Sequence, residues 1–113
     1  MEAISLYQQM LDVEEAMEDC TDILHRLDSA LPKAEEEYQR VRHDAFLNLK
    51  ASYGPTAARE IFRGHPAVAE ARRERDELRC ERQTAVKELT RLTSLHLRLR
   101  DDVNREYARP SNR

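Results

Sequence analysis

One stripe of residues constrains this chain more than any other feature. Stepping alternately by three and four from Ala3, the chain passes Leu6, Met10, Val13, Met17, Cys20, Leu24, Leu27, Leu31, Ala34, Tyr38, Val41 and Ala45 before the polar Asn48 interrupts it. Thirteen successive small or apolar positions in that rhythm form a coiled-coil seam, because a repeat of about 3.5 residues keeps one face of a helix turned to a partner. The residues around the seam are polar, among them Glu14, Glu15, Glu18, Asp19, Asp22, Glu35, Glu36 and Arg40. Composition points the same way. Only 2 of 113 residues are Gly, 5% are aromatic and 36% are charged, which leaves little material for the turns and strands of a sandwich, a barrel or an α/β fold.

Pro32 falls within the stripe, where a proline removes one helical hydrogen bond and crowds the preceding turn. The seam nevertheless passes from Leu31 to Ala34 to Tyr38 without a slip, which predicts one helix over about residues 3–52, kinked near Pro32. Gly54 and Pro55 then form one break, and Gly64, His65 and Pro66 a second, so a short helix is expected in the turn at about 54–65. From Pro66 to about Ala108 the 3–4 spacing resumes with Ala71, Leu78, Ala85, Leu89, Leu92, Leu99 and Val103, with Arg75, Arg82 and His96 at intervening seam positions. Residues 109–113 read as a frayed tail.

Two long helices joined by a compact turn predict a single all-α domain, a long antiparallel two-helix hairpin. With the turn centred near residue 59, Ala45 faces Ala71–Glu74, Tyr38 faces Leu78–Arg82, Leu31 faces Ala85–Leu89 and Cys20 faces His96–Leu99. Arg75 and Arg82 then reach Glu35, Glu36 or Glu37, and Phe46, Leu47, Tyr53, Ile61 and Phe62 cluster under the short helix. A hairpin has one seam to bury, and so small a core seldom suffices alone. At the open end the apolar surface widens beyond the seam at Ile4, Tyr7 and Leu11 on the first helix and Leu95 and Leu97 on the second, with Ile23 extending it. These residues are the expected interface for a homodimer closing into a four-helix bundle, or for another protein.

The net charge of −3 hides an asymmetry: residues 1–53 carry 12 acids against 5 bases, and residues 54–113 carry 10 against 14. Opposite-sign helices lying side by side use most of this internally. The best nucleic-acid candidates are Arg72, Arg73, Arg79 and Arg82, yet they are interleaved with acids and lack stacking aromatics. His25, His43, His65 and His96 show no metal-ligand spacing, and Cys20 and Cys80 form no CxxC pair, so neither metal nor other cofactor is expected and reduced thiols are. No Gly-rich phosphate loop or nucleophile with a base is evident, so no enzymatic activity is expected. Without a basic apolar leader or an apolar run of about 18–20 residues, a soluble cytoplasmic protein is expected, with no membrane partner.

The segment Tyr38…Ala45-Phe46-Leu47-Asn48-Leu49-Lys50, followed by a glycine break and Ala58-Arg59-Glu60, resembles small helical-hairpin (coiled-coil) proteins of unknown function from bacteriophages. The resemblance spans about residues 5–105; Pro55 and the stretch Phe62-Arg63-Gly64-His65-Pro66 depart from that pattern. Such proteins are often encoded near recombination and replication genes, and some inhibit host defence. The resemblance implies an inhibitor of a host protein, and the hairpin with its apolar open end is read as a non-enzymatic interaction protein, an adaptor or such an inhibitor. The alternative is a nucleic-acid-associated accessory factor acting through the basic second helix.

Overall fold

The computed structural model describes residues 5–108. It is all-α: α1 spans Leu6–Tyr53, α2 Pro55–Phe62 and α3 Pro66–Ala108, with no strand among the described residues. Helix α1 begins at Ser5, whose hydroxyl accepts the backbone N–H of Gln8 at 3.0 Å. That bond satisfies one of the donors a helix start leaves free, which makes Ser5 the N-cap. Pro32 sits inside α1, and the helix runs through it. At the other end the N–H of Gly54 closes on the carbonyl of Lys50, and the carbonyl of Gly54 accepts the N–H of Ala58, so this one residue ends α1 and starts α2. Its φ of 84° explains the glycine, because a residue with a side chain is strained at positive φ. Pro55 follows at the first helical position, where its missing N–H costs nothing.

The chain divides into two compact units, residues 26–82 forming one and the segments on either side of them the other. In the unit of residues 26–82, α1 and α3 run antiparallel. As the α1 partner advances from Asp28 to Glu35, its α3 partner recedes from Arg82 (2.7 Å) to Arg79 (2.6 Å). The core here is Tyr38, Ala45, Val68 and Ala71, with Val41 and Phe62 packed against it. Alanine on both helices lets the backbones approach closely. In the other unit Val13 and Cys20 of α1 pack with Leu92 and Leu99 of α3, and Leu6, Met10, Met17, Leu89 and Leu95 lie against them.

The seam predicted for α1 is the buried side of the helix: every position from Leu6 to Ala45 in the 3–4 stripe is buried or half-buried, and Asn48 is exposed. Ala3 lies outside the described residues, as do Ile4 and residues 109–113.

The facing register differs from the one expected for a turn centred near residue 59. Tyr38 meets Arg72 and Arg75 rather than Leu78–Arg82, and Arg82 goes to Asp28 rather than to Glu35, Glu36 or Glu37. In the other unit Cys20 shares a core cluster with Leu92 and with Leu99 of the expected facing stretch, and His96 meets Glu14. The cause is the path of α2. Phe62, eight residues after Gly54, lies edge-on against Phe46, eight residues before it, with ring centroids 5.8 Å apart. The chain thus reverses at Gly54, and α2 already runs back along the last two turns of α1. Beyond it, Gly64 and His65 donate to the carbonyls of Ile61 and Phe62, and the carbonyl of His65 accepts the N–H of Ala69 to start α3.

The apolar cluster expected under the short helix is correspondingly smaller. On α2 the inward residues are Ala58, which is fully buried, and Phe62, four residues later on the same face. Leu47, Tyr53 and Ile61 are exposed.

Candidate interaction surfaces

The residues expected to form an interface fall into distinct groups. Tyr7 is 50% exposed, Leu11 37% and Leu97 44%, all high for side chains of that size and polarity. Tyr7 and Leu11 are four residues apart and share a face of α1. Glu14, seven residues beyond Tyr7, marks the same side, where it meets Nε2 of His96 at 2.9 Å. Leu97 follows His96 in α3 and is likewise exposed. Leu95 precedes His96 and is half-buried, packed against the core of its unit. Ile23 is 41% exposed but, sixteen residues after Tyr7, lies on the opposite side of α1 at about 100° per residue.

The four arginines singled out as nucleic-acid contacts are all engaged by the protein itself. Arg73 is held by Glu70 at 2.8 Å and approaches Glu77 at 3.9 Å; Arg79 bridges to Glu35; Arg82 bridges to Asp28. The guanidinium of Arg72 lies 5.9 Å from the centroid of the Tyr38 ring. Arg75 stacks more closely, 4.3 Å from the same centroid, while its guanidinium also contacts Asp76 at 3.0 Å. The guanidinium of Arg72, helped by the nearby charges of Arg42 and Arg75, holds the Tyr38 phenol below its ordinary pKa against the opposing effect of burial. Similar local pairing recurs along the surface. Arg40 holds Glu37 at 2.6 Å and Arg91 holds Glu88 at 2.5 Å, in each case lowering the carboxyl pKa chiefly through the hydrogen bond.

A third arrangement was not visible along the sequence. Between α1 and α2 lies a hollow of about 470 Å³ lined by Arg42, His43, Phe46, Arg59, Phe62 and Arg63. These residues lie up to 21 positions apart, and only the reversal at Gly54 brings the two groups together. The available signal was the glycine itself, read as the centre of the turn.

No protein-family model, curated protein or solved structure matches the chain. Its surfaces therefore have to be read from their own chemistry. Among the described residues no group of three His, Cys, Asp or Glu is placed to hold a metal ion, and no helix is long and apolar enough to cross a membrane. Cys20 is a buried thiol and Cys80 an exposed one, both free.

Proposed function

We propose that this chain is a non-enzymatic protein–protein interaction module that associates with a second copy of itself through the flank formed by Tyr7, Leu11 and Leu97. Two antiparallel helix pairs would close there into a four-helix bundle, leaving the remaining faces to present the module to another protein as an adaptor or as an inhibitor. The observation that supports this most is the exposure of Tyr7, Leu11 and Leu97 beside a seam that Val13, Cys20, Leu92 and Leu99 already fill. Fully burying a large apolar side chain contributes about 1.5–3 kcal/mol, and Tyr7, Leu11 and Leu97 still expose 37–50% of their surface, so covering them adds on the order of 1 kcal/mol each. The resemblance to phage hairpin proteins supports a host protein in the cytoplasm as the further partner.

A nucleic-acid role has less support, since Arg73, Arg79 and Arg82 are neutralised by carboxylates of the same chain and Arg72 is committed to Tyr38. The test is substitution of the flank. Leu11→Asp and Leu97→Asp place charge on exposed positions, so helicity should persist while self-association is lost, with little dependence on salt. Association that survives both substitutions but collapses at high salt would overturn this reading and favour a charge-driven one.

A further inference from the structure

We propose that the hollow between α1 and α2 is a docking site for an acidic peptide segment that carries one large apolar side chain. This goes beyond the self-association reading, because it concerns a different surface and does not depend on a dimer. The floor is apolar: the rings of Phe46 and Phe62 meet at 87°, both half-buried. The rim is cationic, formed by Arg42, Arg59 and Arg63 with His43 among them. Elsewhere in the same unit Arg40, Arg73, Arg79 and Arg82 each hold a carboxylate within 2.9 Å. Around the hollow that pairing fails. Among the described residues no ion pair engages Arg42 or Arg59, and Arg63 meets only Glu60, at 4.0 Å with both side chains largely exposed.

Three guanidiniums around one concavity repel each other until an anion joins them, and each presents a planar fork suited to a carboxylate. The apolar floor asks for something more than charge. A volume of about 470 Å³ accommodates an aromatic or leucine side chain with carboxylates on either side of it. The rim residues are exposed, so the hollow stays open to solvent. A free small molecule needs most of its surface enclosed to bind well, whereas a peptide segment adds contacts along the rim. That difference favours a side chain presented by another protein over a diffusible ligand.

The experiment uses the full chain and a dye-labelled peptide of glutamates around a central phenylalanine, followed by fluorescence anisotropy. Binding should weaken about tenfold or more when Arg42→Glu or Arg59→Glu reverses a rim charge, the size expected when a charge-assisted hydrogen bond is lost. Arg59→Gln should weaken it less, and replacing the peptide's phenylalanine by alanine should also weaken it about tenfold. Because Arg42 and Arg59 are exposed, circular dichroism should show unchanged helicity. Leu11→Asp should bind the peptide normally, which separates this site from the dimer proposal. Absence of binding, equal binding by the rim variants, or displacement of the peptide by adenosine monophosphate at lower concentration than by unlabelled peptide would each overturn the assignment, the last in favour of a nucleotide site.

Discussion

The guanidinium of Arg75 lies 4.3 Å from the ring centroid of Tyr38, which is only 8% exposed. Two residues at seam positions of facing helices thus meet through a cation–π contact, and the guanidinium of Arg72 lies 5.9 Å from the same ring centroid. A seam arginine is normally a cost. Here the aromatic face takes up its charge, and the aliphatic stem adds packing.

The guanidiniums around Tyr38, Arg72 foremost, hold its phenol below the ordinary pKa in the folded chain. The fold therefore favours the phenolate and gains stability as pH rises through the folded value, the gain being complete above the ordinary value of about 10. Absorbance at 295 nm should show an ionisation below the ordinary tyrosine range that Tyr38→Phe removes. A titration curve that keeps this step in Tyr38→Phe would contradict the geometry.

The two glycines should respond oppositely to alanine. Gly54 has φ 84°, so Gly54→Ala forces a left-handed conformation although the space around it is open, and stability should fall by about 1–2 kcal/mol. Gly64 has equal space and no positive φ, so Gly64→Ala should raise stability by about 0.4–1 kcal/mol through the unfolded chain. Urea denaturation followed at 222 nm measures both. A stabilising Gly54→Ala would show that the reversal is not at this residue.

Leu27 is fully buried, whereas Leu31, one turn further along α1, is only half-buried. Leu27→Ala should therefore cost about 2–5 kcal/mol and Leu31→Ala clearly less. The same denaturation experiment decides it, and equal losses would mean that the helix packs through a different face.

Much of this architecture was legible because helix packing is written in periodicity. The stripe from Leu6 to Ala45 needs no knowledge of the partner helix, since residues at 3–4 spacing must share a side. Pro32 did not obscure it, because unbroken phase across the proline is itself evidence of one helix. The facing register was less legible. It depends on where the chain reverses, and two Gly–Pro-type breaks offered two pivots; the positive φ of Gly54 and the Phe46–Phe62 contact fix the first. The widened apolar end reads as one patch along the sequence, yet Leu95 packs against the core of its unit whereas Tyr7, Leu11 and Leu97 are exposed. Charge was the least legible of all. A run such as Arg72-Arg73-Glu74-Arg75 looks like a basic track until each guanidinium finds its own carboxylate or ring.

The most direct test of the proposed self-association is the mass in solution. Light scattering in line with size-exclusion chromatography, over a range of loading concentrations, should give twice the 13.3 kDa chain mass for the native sequence and the single-chain mass for Leu11→Asp. A native protein that elutes at 13.3 kDa at every concentration would contradict the account and leave Tyr7, Leu11 and Leu97 to a different protein.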